Sequence, residues 1–106
     1  MNKDRVFKLA DHIESGYMFS QLNSSVSGCG CVAAHAARLW PDEARDALIL
    51  DRAYLTDLMH TLGLDWATAS DIYYWRGDNP SSAVSKEQAA AMLRHLANTG
   101  EVDWNV

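Results

Sequence analysis

Apolar residues recur along this chain at intervals of three and four residues, the spacing of an α-helix with one buried face. The clearest stripe lies in residues 3–15 and consists of Val6, Leu9, Ala10 and Ile13. The pattern predicts further helices over residues 30–40, 42–48, 52–62, 66–75 and 86–98. No segment shows the sustained two-residue alternation of a strand. We therefore predict an all-α fold, a compact bundle of five or six short helices in a single domain over residues 1–106.

Residues with strong capping preferences mark the ends of these helices. Asn2, Asp51 and Asp65 are predicted N-caps, because a side-chain oxygen at that position accepts a hydrogen bond from the first turn. Gly16 is predicted to follow the first helix as a C′ glycine. Residues 17–29 are rich in Asn, Ser and Gly and indicate a loop. We expect four apolar residues to attach this loop to the core: Tyr17, Met18, Phe19 and Leu22.

Charge is distributed unevenly along the chain. The segment 42–78 contains eight acidic residues and three basic ones, whereas the rest of the chain contains six of each, so the formal net charge of -5 belongs to this one segment. The acids are Asp42, Glu43, Asp46, Asp51, Asp57, Asp65, Asp71 and Asp78. An acidic field repels nucleic acid and attracts basic surfaces. The charge therefore favours a protein partner with a basic surface, and direct DNA binding is not expected.

Size and composition are those of an ordinary globular domain. The chain has 106 residues, of which 48% are hydrophobic and 22% charged. No apolar run approaches the ~20 residues that a membrane-spanning helix needs. Residues 1–8 alternate charged and apolar side chains and lack the apolar core of a signal peptide. We expect a cytoplasmic protein with reduced cysteines and no membrane partner.

The aromatic run Tyr73, Tyr74 and Trp75 is a candidate interaction site, since a helix cannot bury three consecutive large side chains on one stripe. With Trp66, Ala69, Ile72 and Tyr73 predicted to face inward, Tyr74 or Trp75 is expected to be exposed. Tyrosine and tryptophan are common in interface hot spots, although the loop after residue 75 could instead cover them. The predicted partner-binding residues are Asp42, Glu43, Asp46, Asp57, Asp71, Tyr74, Trp75 and Asp78.

Cys29, Cys31 and His35 are the weak candidates for a metal site. Cys31 and His35 are four residues apart, so both could reach one ion from a helix. The usual C-x-x-C pair and a clear fourth ligand are missing. A reactive thiol near a helix start is a second possibility. We favour a packing role for Cys31 and His35, and we expect no metal and no cofactor.

Residues 55–76 show the spacing of a helix-turn-helix, with Gly63 in the turn. The second helix of this unit, residues 66–76, contains a single basic residue, Arg76, at its end. Helices that read DNA need several cations to contact phosphates. A DNA-binding regulator therefore stays an alternative, and simple packing of two helices is favoured.

Several stretches of the sequence resemble an uncharacterised family of small phage and prophage proteins. They are residues 4–14, Gly30-Cys-Val-Ala-Ala-His-Ala36, Leu62-Gly-Leu64 and residues 84–104, which contain Thr99-Gly-Glu-Val-Asp-Trp104. The family has a helix that begins with a Cys-Gly-Thr-x-x-Cys-x-x-Gly-His-Ala-like sequence and ends its last helix with Thr-Gly-x-Val-Asp-Trp. Cys31 and His35 match the second cysteine and the histidine, while Val26 replaces the first cysteine. If the family binds metal there, this chain has lost or rearranged the site.

The resemblance implies a phage origin. Phage accessory proteins, anti-CRISPR proteins among them, are often small acidic proteins that bind and disable host machinery. Together with the charge pattern, this leads to one functional hypothesis. We expect a non-enzymatic inhibitor or adaptor that binds a basic protein surface of the host, including surfaces that normally hold nucleic acid. The alternatives are the helix-turn-helix regulator and a small metal- or thiol-site protein.

Overall fold

The computed structural model describes residues 1–16, 18–75 and 84–106, and within them the chain forms six α-helices. These are α1 (Lys3–Ser15), α2 (Val32–Leu39), α3 (Arg45–Leu50), α4 (Leu55–Leu62), α5 (Trp66–Tyr73) and α6 (Lys86–Thr99). The only pairing of strand type in the described residues is one isolated bridge between Phe19 and Gly30. The predicted all-α fold is therefore confirmed.

The first and last helices form the most extensive helix–helix contact among the described elements. The predicted stripe on α1 is buried, and α6 contributes a matching stripe of Ala89, Met92, Leu93 and Leu96. Arg94 of α6 bonds to two acids of α1, Asp11 at 2.9 Å and Glu14 at 3.0 Å. Apolar contact inside and ion pairs at the edge thus join the two ends of the chain.

Helix α2 lies at the centre of the bundle and contacts α1, α3, α4 and α5. Its residues from Val32 to Ala37 are all buried, which four alanines permit because small side chains allow neighbouring helices to approach closely. The helix begins two residues later than predicted because Gly30 pairs with Phe19 instead. A Cβ at Gly30 would lie 2.4 Å from the Cβ of Ala34 and 2.7 Å from the carbonyl oxygen of Ser25. Only glycine fits this crossing.

The loop before α2 is held by polar contacts as well as by apolar ones, since Phe19 packs against the core as predicted and Val26 is buried. Gln21 is buried and donates a hydrogen bond of 2.9 Å to the carbonyl oxygen of Ile72. Arg38 donates to two loop carbonyls, those of Val26 and Gly28. The prediction for Leu22 was wrong, since half of its surface is exposed, while Met18 and Phe19 are partly buried. Tyr17 lies outside the described residues.

Some helix ends confirm the capping predictions. Asn2 caps α1 through the N–H of Arg5, and Asp65 caps α5 through the N–H of Thr68. Gly63 ends α4 with a φ of 67°, a left-handed conformation that favours glycine. Gly16 follows α1 as predicted, but its φ of -86° is not left-handed, so the predicted C′ geometry was wrong.

The helices between residues 42 and 62 begin later than predicted. Residues 41–43 form a turn after Trp40, closed by hydrogen bonds to the carbonyls of Trp40 and Pro41, and α3 starts at Arg45. Residues 52–54 are not helical, because the N–H of Ala53 bonds to the carbonyl of Ser24 in the loop. A local turn has thus replaced the predicted start of α3, and a tertiary hydrogen bond has replaced the predicted first turn of α4.

Candidate partner-binding surface

A groove of about 330 Å³ lies between α3 and the first turns of α4. Four of the predicted binding acids line it: Asp42, Glu43, Asp46 and Asp57. Its other walls include Arg45, Leu50, Tyr54 and His60. The fold thus brings together acids that are up to fifteen residues apart in the chain, which the sequence alone could only place in one segment.

Two of these acids have carboxylates without a bonding partner in the part of the chain that the structure describes. Asp42 and Asp46 are exposed and form no hydrogen bond or ion pair with any residue of the described ranges. Glu43 differs, because its Oε1 accepts a bond of 3.0 Å from Arg5 of α1. Arg45, although it lies in the same groove, pairs with no acid in the described part of the chain. The charges of Asp42 and Asp46 are therefore left to solvent.

Asp57 lies in the groove wall but serves the fold. It is 7% exposed, and its Oδ2 accepts a hydrogen bond of 2.7 Å from the N–H of Tyr54, the residue before α4. Burial raises the pKa of this carboxyl, and the nearby charge of Asp46 raises it further, against the hydrogen bond from Tyr54 and the charge of His60. The main role of Asp57 is therefore to cap α4, and little of its side chain is exposed for a partner to contact.

Helix α3 ends in three exposed aliphatic residues, Leu48, Ile49 and Leu50, which we call the aliphatic patch. Their exposed fractions are 42%, 79% and 63%. The helix is only six residues long, and Ala47 is its one buried side chain. This patch was not predicted from the sequence. The rule used for residues 73–75 applies to it as well, because a helix cannot bury three consecutive large side chains on one stripe.

The C-terminus of α3 is fixed by Asp51, which had been predicted as an N-cap for the next helix. That prediction was wrong. Asp51 follows α3 with a φ of 52°, and its carboxylate accepts hydrogen bonds from Ser25 Oγ and from the N–H and Oγ of Ser27. These bonds lower the pKa of the Asp51 carboxyl. The same hydrogen bonds connect the loop before α2 to the end of α3, next to the aliphatic patch.

Some aromatic residues in α5 and just after it are exposed, and others are buried or half-buried. Tyr74 is 61% exposed, whereas Trp75 is half-buried and stacks on Trp104 with ring centroids 5.8 Å apart. Tyr73 turns inward and donates a hydrogen bond of 2.7 Å to the carbonyl of Ala53. Trp66 was predicted to face inward, but it is 62% exposed, so that prediction was wrong. Trp66 is the first residue of α5 and precedes the buried positions Ala69 and Ile72.

The two remaining predicted acids are Asp71 and Asp78. Asp71 lies on α5 and is exposed, and its carboxylate has no bond to another described residue; it does not line the groove. Asp78 lies outside the described residues. Of the predicted binding residues that the structure describes, four therefore line the groove, whereas Asp71 on α5 and Tyr74 and Trp75 just after it do not.

The candidate metal residues do not converge in the described ranges. Cys29 is exposed, Cys31 is buried, and neither forms a disulfide. No group of three histidine, cysteine or acidic side chains in residues 1–16, 18–75 and 84–106 could hold an ion. His35 is instead part of a hydrogen-bonded pair between α2 and α1, since its Nδ1 lies 3.2 Å from Nε2 of His12.

The protonation of this histidine pair follows from its contacts. His35 Nε2 lies 2.6 Å from the carbonyl oxygen of Met18 and must donate, because a carbonyl only accepts. Nδ1 of a neutral His35 then accepts from His12. Burial lowers the pKa of His35 to about 4, and the charges of Arg38 and His12 lower it as well. Burial also lowers the pKa of His12. The pair is neutral and connects α1 to α2.

Helices α4 and α5, joined at Gly63, form the hairpin expected for the helix-turn-helix alternative. The described α5 contains no lysine or arginine. Its exposed residues include Trp66, Ala67, Asp71 and the following Tyr74. A helix with this surface offers no cation to a phosphate backbone.

Comparisons with family models, with curated proteins and with solved structures find no match to this chain. Among the helices of the described residues, none combines the length and the apolar character that crossing a membrane requires.

Proposed function

We propose that this chain is a phage-encoded, non-enzymatic inhibitor or adaptor that binds a basic surface of a host protein in the cytoplasm. The observation that carries the proposal is the groove between α3 and α4, where the carboxylates of Asp42 and Asp46 bond to no other described residue and lie near exposed aliphatic side chains. An exposed apolar patch marks interaction sites, and charges beside it can complement those of a partner.

The electrostatics favour a cationic partner. Of the described acids between residues 42 and 71, only Glu43 is neutralised by an ion pair. Asp51, Asp57 and Asp65 are stabilised by hydroxyl or backbone N–H groups, which leave their net charge in place. Basic surfaces that hold nucleic acid would be attracted in the same way, which agrees with an anti-CRISPR or other host-takeover role.

The test is to capture proteins from a bacterial host lysate on the immobilised chain and to compare two charge-matched variants. We expect Asp42→Asn with Asp46→Asn to lose the specific partner. The control, Glu87→Gln with Glu101→Gln, removes two exposed acids elsewhere and should retain it. Identical captured proteins for the wild type and the Asp42/Asp46 variant would refute the proposal.

The purified partner then gives a kinetic test. Electrostatic steering predicts that the association rate constant falls by at least about 10-fold between about 0.05 M and about 0.5 M NaCl, because salt screens exposed charges. Surface plasmon resonance measures this directly. A rate constant independent of ionic strength would remove the electrostatic part of the proposal.

A further inference from the structure

The aliphatic patch is the part of this surface that the acidic charge does not explain. Leu48, Ile49 and Leu50 are largely exposed, and Leu50 also lines the groove. Steering by charge alone requires no apolar residue, and exposed apolar side chains that adjoin a groove are a common feature of interaction sites. The patch therefore indicates what the partner must present besides positive charge.

One acid of α3 lies on the same side of the helix as two residues of the aliphatic patch. Asp46 is three residues before Ile49 and four before Leu50, so their side chains are neighbours on the helix surface. Side chains at this spacing lie about 5–6 Å apart at Cβ. A ligand that satisfies both must place a cation beside a large aliphatic group at a similar spacing.

We propose, on the basis of the protein-binding function above, that the α3–α4 groove takes a basic amphipathic α-helix of the partner. Lysine or arginine side chains of that helix meet Asp42 and Asp46, and its aliphatic residues cover Ile49 and Leu50. An α-helix supplies this arrangement with residues at i and i+4, and helices bind apolar grooves in this way. The described residues of the groove include no strand whose edge an extended peptide could join.

Charge complementarity selects this occupant over a second copy of the chain. A symmetric dimer through the aliphatic patch would bring the grooves of the two copies together, and each groove is lined by four acids and one arginine, Arg45. The excess of acids would place like charges against each other, which disfavours an interface. A basic helix covers the same aliphatic side chains and neutralises the carboxylates instead.

The probe is a synthetic peptide of about 18 residues, built from leucine, alanine and lysine, with leucines and flanking lysines on one helix face; this length allows an isolated helix to form. Two control probes are a scrambled peptide of the same composition and a lysine homopolymer of the same length. We expect the amphipathic peptide to bind the wild-type chain at least about 10-fold more tightly than either control in fluorescence anisotropy.

Variants of the chain locate the site. We expect Ile49→Ser with Leu50→Ser to weaken binding of the amphipathic peptide by at least about 10-fold, since this variant removes the two large aliphatic side chains that the peptide covers. Leu22→Ser changes an exposed leucine on the α2 loop and should bind as the wild type does. All three positions are largely exposed, so the variants should fold, which circular dichroism checks.

Four results would overturn the inference: no peptide binding, equal binding of the scrambled or homopolymer probe, unchanged binding by the Ile49/Leu50 variant, or a wild-type dimer in sedimentation that this variant dissociates. Failure of this inference can be distinguished from failure of the proposed function. If the natural partner requires Asp42 and Asp46 but not Ile49 and Leu50, the amphipathic helix is excluded while the inhibitor or adaptor role stands.

Discussion

Helices α1 and α6 meet through aliphatic side chains that are completely buried, whereas α3 leaves Leu48, Ile49 and Leu50 exposed. Charge follows the same division. Arg94 of α6 pairs with both Asp11 and Glu14 of α1, while Asp42 and Asp46 beside α3 have no partner among the described residues. The side chains between α1 and α6 stabilise the fold, whereas those of α3 and the groove remain accessible to a partner.

The largest expected effect compares two leucines of these regions. Leu93 of α6 is completely buried, and Leu50 of α3 is 63% exposed. We expect Leu93→Ala to lower the free energy of unfolding by about 2–5 kcal/mol, because it leaves a cavity between packed helices. Leu50→Ala should change it by less than about 0.5 kcal/mol. Urea denaturation followed by circular dichroism measures both, and similar losses would show that α3 is part of the core.

The second expected effect comes from the histidine pair that joins α1 to α2. The pKa of His35 is lowered to about 4 in the folded protein, so the unfolded chain binds the proton more tightly. The stabilisation is complete above the ordinary pKa of about 6.5 and is lost as the pH falls from there toward 4. We expect a loss of up to about 3 kcal/mol over this range.

Unfolding curves at a series of pH values check this effect. In His35→Gln the slope of stability against pH between 6.5 and 4 should be shallower than in the wild type, because the histidine whose pKa is lowered to about 4 is gone. Equal slopes for the two proteins would contradict the protonation that the contacts with Met18 and His12 assign.

The smallest expected effect compares two arginines. Arg94 holds two acids of α1, and Arg45 lies in the groove without an acidic partner among the described residues. We expect Arg94→Gln to lower the free energy of unfolding by at most about 1 kcal/mol, since the pairs are at the surface. Arg45→Gln should change it by less than about 0.5 kcal/mol. Higher salt should reduce the difference between these variants, and a difference that persists would indicate packing rather than charge.

Local periodicity was a reliable guide where a helix packs along its whole length. The stripe on α1 is buried as predicted, and α1 and α6 begin at Lys3 and Lys86, the first residues of the predicted ranges 3–15 and 86–98. The prediction of the groove was partial. Charge counting identified Asp42 and Asp46, but it also included Asp57, which caps α4, and it missed the aliphatic patch.

The sequence by itself determined the all-α class and the buried faces of the long helices, because a repeat of 3.6 residues and a local cap depend only on near neighbours. Only the tertiary structure decided the role of Asp51. Asp65 caps α5, whereas Asp51, an aspartate as well, accepts hydrogen bonds from Ser25 and Ser27, about 25 positions earlier in the chain. Exposure of the aliphatic patch was decided in the same way, since a side chain is buried only if another element of the fold reaches it.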